Sequence, residues 1–271
     1  MERTVFYISD GTALTAKGLG KSLLSQFGHI SFKEKIRPFI DTKEKVLSLI
    51  KEMDREALLS KKPFIAFASM MDDSLMSLLL IKYPEVIDIF SPFIKKLEGL
   101  IDQKSSKEVG LAHNISKEPM YEHRIQAIDF ALATDDGLRM SEYERADLII
   151  LGISRSGKTP TSVYLALQFG LKVANYPFTS DDLPEFALND ALLKNRSKLF
   201  GLVISKERLL FIRNERRPGS PYADKDLIDQ EIVALERLFF EENIPFIDAT
   251  NRSVEEIASS IFYSMRVQRE T

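Results

Sequence analysis

Ala146-Asp-Leu-Ile-Ile-Leu-Gly-Ile-Ser-Arg-Ser-Gly-Lys-Thr-Pro-Thr-Ser162 decides how this chain is read. It opens on an apolar run, Asp147–Leu151, of the kind that forms a strand buried on both faces. Gly152, Gly157, Lys158 and Thr159 then fill the pattern GxxxxGK[ST], with Ile153, Ser154, Arg155 and Ser156 between the glycines. Helical spacing follows over Pro160–Phe169. Strand, loop and helix in that order are the setting a phosphate-binding loop requires. Glycines let backbone N–H groups turn inward and approach a phosphate closely. The helix start adds free amides and a positive dipole end. Lys158 supplies a cation, and the Thr159 hydroxyl is a ligand for Mg²⁺. A chance match in a chain of this length has odds on the order of one per cent.

Outward from this loop the chain alternates strands and helices. Strands are expected at Val5–Ser9, Ile36–Ile40, Phe64–Phe67 and Val86–Phe90, with helices to about Phe27, over Lys43–Leu59, Asp73–Lys82 and Pro92–Ile101. The polar run Gln103–Glu108 reads as a linker. After a helix over Glu118–Thr134 come strands at Ala146–Leu151, Lys172–Tyr176, Leu199–Ile204 and Pro245–Asp248. Helices are expected at Lys206–Arg216, from about Asp224 to Asn243, and at Val254–Met265. This rhythm predicts an α/β fold with mainly parallel sheets. It divides into an N-terminal α/β domain, residues 1–107, and a nucleotide-binding domain, residues 108–271.

The 271 residues are 44% hydrophobic and 28% charged, enough to bury a core. A net charge of −3 argues against a general grip on nucleic acid. The longest apolar candidate, Leu75–Ile81, is too short to span a bilayer, and the start shows no signal-peptide core. A cytoplasmic, membrane-free protein is expected. Zero cysteines remove thiol chemistry, and the three histidines, His29, His113 and His123, lack a metal-binding spacing.

Several other residues have both a chemical and a plain reading. Ser9-Asp10-Gly11-Thr12 joins a strand to a helix, where it could meet an anion or simply cap the helix. Asp135-Asp136-Gly137 is a catalytic candidate or a helix-ending turn, and Asp181-Asp182 is similar. Asp248 could be the acidic Mg²⁺ partner of the loop or cap the next turn. His123-Arg124 reads as a packed or solvated pair on a helix. Arg213, Arg216 and Arg217 read as charge on an exposed helix face, with a phosphorylated partner as the alternative.

Phe6-Tyr-Ile-Ser-Asp-Gly-Thr-Ala13, Ile125-Gln-Ala-Ile-Asp-Phe130, Asp135-Asp136-Gly137 and Gly152–Ser162 together resemble the bacterial phosphoenolpyruvate synthase regulatory proteins. Gln168-Phe-Gly170, Ala174-Asn-Tyr-Pro-Phe178, Lys198-Leu-Phe-Gly-Leu202 and Thr250–Ala258 extend the likeness over essentially the whole chain. Lys17 departs from it, standing where the pattern has Glu. The resemblance implies an ADP-dependent kinase that phosphorylates a threonine of phosphoenolpyruvate synthase. It also implies the reverse reaction, in which inorganic phosphate removes the group and pyrophosphate is released. Ser-Asp-Gly-Thr-Ala and Gly157 favour this branch over the related regulators of pyruvate, phosphate dikinase.

On that reading ADP and Mg²⁺ occupy the loop, Lys158 is exposed in it, and Arg155 adds a transition-state contact. The base that takes the threonine proton is Asp10, Asp135 or Asp136, with Asp10 facing the same cleft as Lys158. Thr159 and Asp248 hold the metal. A homodimer is compatible with the sequence. A small-metabolite kinase using ATP and a non-catalytic nucleotide sensor are the rival readings.

Overall fold

A computed structural model describes residues 2–59, 62–109, 119–183 and 186–270. It divides into two compact units, Met1–Asn114 and Ile115–Thr271. The expected linker Gln103–Glu108 belongs to the first.

The first unit runs β1 (Glu2–Ser9), α1 (Leu14–Leu24), β2 (Ser31–Arg37), α2 (Lys43–Leu59), β3 (Ile65–Ser69), α3 (Asp73–Lys82), β4 (Ile87–Asp88) and α4 (Ser91–Ile101). Its four strands are all parallel, in the order β2-β1-β3-β4. Alternate residues of β1 face opposite sides. Phe6 and Ile8 pack with Val46, Leu49 and Met53 of α2 and Leu75, Met76 and Leu79 of α3. Val5 and Tyr7 pack with Ala16 of α1. The sheet is therefore the middle of three layers.

The second unit contains α5 (Pro119–Ala133), β5 (Leu148–Ile153), α6 (Lys158–Phe169), β6 (Val173–Phe178), α7 (Asp190–Lys194), β7 (Leu199–Val203), α8 (Lys206–Arg216), α9 (Lys225–Glu241), β8 (Phe246–Asp248) and α10 (Val254–Glu270). Its sheet, again all parallel, has the order β6-β5-β7-β8. Ile149, Leu151 and Ile153 face Ile228, Leu235, Leu238 and Phe239 of α9. Leu148 and Ile150 face Leu165 of α6 and Ile257, Ala258 and Ile261 of α10. The apolar run of β5 is thus buried on both faces, as its sequence predicts.

The two sheets share one topology. In each, the chain goes from its first strand to one neighbour, then crosses back to the other side. That leaves a switch point beside the C-terminal end of the first strand, where open α/β sheets place their ligands. The inner strands β1 and β5 run Glu2–Ser9 and Leu148–Ile153, near their expected bounds, and the largest deviations lie at the edge strands β2 and β4. Strand β2 begins earlier than Ile36, because Lys35 and Arg37 satisfy their charge on Glu52 and Glu56 of α2 rather than breaking the strand. Strand β4 keeps only two of the five expected residues. The short helix α7 was not expected; Asn189 caps it by accepting from the Leu192 N–H.

Candidate functional site

Strand β5 delivers the chain to residues 152–159 at the switch point of the second sheet. A Cβ on Gly152 would lie 2.6 Å from Ser156 Oγ and 2.9 Å from the Leu202 carbonyl oxygen. No side chain fits there without moving backbone. Gly157 has φ of 95° and stands at the N-cap of α6, a conformation that suits glycine. Arg155 also has positive φ, 76°, and its side chain is exposed. Ser156 Oγ is buried without a hydrogen-bond partner among the described residues.

Lys158 was expected to be exposed; it is 4% exposed. Its long stem packs into the fold, and its Nζ donates to the Ile153 carbonyl at 3.0 Å. Burial lowers its pKa to about 8, against the pull of Asp136 and Asp135, which favour the cation. A lysine held in a desolvated cradle with this charge balance would gain strongly from an incoming anion.

Asp135 and Asp136 reach this site from the other side. They form a short helical turn after α5, with Asp136 in a left-handed conformation at φ 47°. The turn reading was therefore right in form, and one of its carboxylates also meets the loop. Asp135 Oδ1 accepts from Thr159 Oγ1 at 2.7 Å and from Asn175 Nδ2 at 2.6 Å. Asn175 Oδ1 in turn accepts from the Asp136 N–H at 3.0 Å. Asn175 is fully buried on β6, the strand beside β5. The sequence reading missed it, although a lone amide inside the strand run Val-Ala-Asn-Tyr-Pro-Phe was a usable signal.

A third contact comes from the connection between α8 and α9. Ser154 Oγ and Tyr222 Oη lie 2.7 Å apart. Arg213, read from sequence as surface charge, is 1% exposed. It pairs with buried Glu231 at 2.6 Å and donates to the carbonyls of Ser154 and Tyr222. Its guanidinium also covers the Tyr222 ring at 4.5 Å. The helix periodicity could not distinguish it from Arg216 and Arg217, which are exposed.

Asp248 and Asp182 satisfy their carboxylates within their own turns. Asp248 ends edge strand β8, two strands from β5 and so roughly 10 Å across the sheet. Its Oδ1 accepts from the N–H and hydroxyl of Thr250. Asp182 forms a capping box with Thr179. In the first unit, Asp10 is 6% exposed, and its Oδ2 accepts from the Met71 and Asp72 amides that follow β3. It lines a cavity of about 280 Å³ with Thr12, Thr15, Phe90, Ser105 and Lys107. A larger cavity, about 560 Å³, opens at the N-terminal ends of β5 and β7, by Asp147 and Lys198, away from the loop. Among the described residues no three His, Cys, Asp or Glu side chains form a metal cluster. No described helix is long and apolar enough to cross a membrane.

Parallel α/β layers with a glycine-bounded loop at a switch point, a buried lysine and a hydroxyl held by aspartate define a protein of the nucleotide-binding α/β class. The chain belongs to the kinase/pyrophosphorylase family, which it matches over residues 5–262. It is 44% identical over 269 residues to a Stutzerimonas stutzeri protein provisionally named a phosphoenolpyruvate synthase regulatory protein, covering 99% of both chains. A Pseudomonas aeruginosa protein with the same provisional name is also 44% identical, over 99% of this chain and 98% of its own.

Proposed function

We propose that this protein is an ADP-dependent threonine kinase and phosphate-dependent pyrophosphorylase acting on phosphoenolpyruvate synthase in the cytoplasm. The observation that carries this reading is the buried Lys158 at the start of a helix, on a loop that needs the bare Gly152 and the positive φ of Gly157, within a chain of this family. The partnerless Ser156 Oγ fits a bound oxyanion, since a buried hydroxyl calls for a partner. Residues 152–159 would hold the phosphates of ADP through their amides and Lys158. Mg²⁺ beside the Thr159 hydroxyl would neutralise charge on the transferring group. Arg155, exposed at the rim, is free to reach it.

In the forward direction the bond between the two phosphates of ADP breaks and a bond to the threonine oxygen forms. AMP leaves, and the threonine proton passes to an aspartate. Asp136 is exposed beside the loop and Asp135 is half-buried there; Asp10 is the third candidate. In reverse, a phosphate oxygen takes the phosphoryl group from phosphothreonine, giving pyrophosphate and restoring the hydroxyl. Catalysis rests on positioning and charge stabilisation.

The test is incubation of the purified protein with phosphoenolpyruvate synthase and ADP labelled in its terminal phosphate. Label on a threonine, AMP in equal amount, and label released as pyrophosphate on adding phosphate are expected. Label transfer from ATP in preference to ADP, with contaminating ADP removed, would place the protein among ordinary kinases. Absence of transfer from either nucleotide would leave a sensor.

A further inference from the structure

A hydroxyl can offer its lone pairs to a cation while giving its proton to another acceptor. Thr159 is held in that state, its proton directed at Asp135 Oδ1. Asp135 is in turn fixed by Asn175, whose amide reads the turn with both ends. The Nδ2 group grips the carboxylate, and the carbonyl takes the next backbone N–H. Asn175 is anchored in its turn, because its own carbonyl accepts from the buried Tyr143 hydroxyl at 3.0 Å. A fully buried amide, here on the edge strand β6, is costly unless satisfied, and both of its ends are engaged on one short turn. The left-handed Asp136 lets that turn present its N–H and the preceding carboxylate to the same side chain.

Resting on the function proposed above, we infer that Asn175 and Asp135 are positioning residues for the divalent cation, forming the outer layer that orients Thr159. Asp248 takes no part: its carboxylate closes the Thr250 turn on the edge strand. Asp135 Oδ1 already accepts two hydrogen bonds, whereas Asp136 is exposed beside the loop, so Asp136 is the stronger candidate for the proton. Lys158 completes the arrangement from the loop side, its charge facing Asp136 and Asp135. The consequence is a metal position whose affinity depends on a buried amide one strand away from the loop.

The experiment is titration of Mn²⁺ into the full-length protein with ADP, followed by electron paramagnetic resonance. Asp135→Ala and Asn175→Leu should each weaken Mn²⁺ binding by roughly 10- to 100-fold, the usual effect of losing an outer-layer partner. ADP affinity measured in EDTA should stay unchanged, and Asp248→Asn should bind Mn²⁺ as the parent does. In the transfer assay the Mg²⁺ needed for half-maximal rate should rise, with the rate recovering at saturating Mg²⁺. A merely structural role would lower the rate at every Mg²⁺ concentration and would overturn the inference. Should Asn175→Leu fail to fold, Asp135→Ala at the half-buried turn decides alone. Unchanged Mn²⁺ affinity in Asp135→Ala, or a tenfold loss in Asp248→Asn, would also overturn it while leaving the proposed function standing. A parent protein that binds no Mn²⁺ with ADP would remove both.

Discussion

The two sheets have the same strand order and opposite chemistry at the same place. After β1 the chain turns through Ser9–Ala13, and Asp10 folds inward onto the Met71 and Asp72 amides. After β5 it turns through an equally short stretch, 154–157, and Lys158 folds inward onto the Ile153 carbonyl. One switch point spends a carboxylate on bracing the neighbouring loop; the other buries a cation that donates to a backbone carbonyl and whose charge Asp136 and Asp135 favour. Topology selects where a ligand can sit, and loop chemistry selects which switch point wants an anion.

The largest contrast should come from charge burial. Arg213→Leu strands Glu231 in the core and should cost about 3–5 kcal/mol in urea unfolding, whereas Arg213→Leu with Glu231→Leu should recover most of it. The corresponding pair of the first unit, Arg37 with Glu52, is partly exposed. Arg37→Leu should therefore cost no more than about 1 kcal/mol. Equal losses at the two sites would remove the distinction.

Lys158→Met comes next. It removes a charge-assisted contact and should weaken ADP binding by roughly 10- to 150-fold in calorimetry, with the fold retained. The lysine's pKa falls from 10.5 unfolded to about 8 folded, because burial disfavours the cation. Between those values the unfolded chain holds the extra proton, so the ligand-free protein should gain stability as pH rises from 8 to 10.5. Thermal melts of Lys158→Met should lack that gain; a parallel rise in both proteins would assign it to other groups.

A smaller contrast separates two glycines. Gly152→Ala meets Ser156 and the Leu202 carbonyl and should cost about 1–3 kcal/mol. Gly11→Ala finds its nearest atoms at 3.7 and 3.9 Å and should stay within about 0.5 kcal/mol. A Gly11 variant as damaged as the Gly152 one would mean the first loop is equally close-packed.

The mildest effect belongs to the first unit's rim. Glu98 accepts from the Ser105 N–H and hydroxyl and pairs with Lys104. The Ser105 amide, followed by Lys104, holds its pKa down at about 2. The restraint on residues 104–105 should therefore be complete above the ordinary value near 4.5 and fade as pH falls through 2. Nuclear magnetic resonance of Glu98 should show that low midpoint; titration near 4.5 would mean the contact is not formed in solution.

Much of this was legible because periodicity and glycine placement are local properties. Helices Lys43–Leu59, Asp73–Lys82 and Lys206–Arg216 begin and end where their spacing predicts. The fully apolar β5 announced a strand with helices on both sides. Edge strands were less legible, since β2 carries charges whose partners lie on a helix further along the chain. The same limit hid the burial of Lys158 and Arg213: a long cationic side chain is assigned to water unless its distant partners are known. Asn175 and Tyr222 act through long-range contacts, so their partners cannot be read from the local sequence.

The polar network around Thr159 is also assembled from nearby chain. Its links to Asp135 and from Asp135 to Asn175 close loops of 24 and 40 residues, whereas Arg213 and Tyr222 reach Ser154 over 59 and 68. Closing the longest rather than the shortest of these costs about 1 kcal/mol more in chain entropy. Chain entropy therefore favours the aspartate and the hydroxyl over the arginine brace in closing first. A nascent chain that has emerged only through β6 already carries every residue of the Asp135–Asn175–Thr159 network.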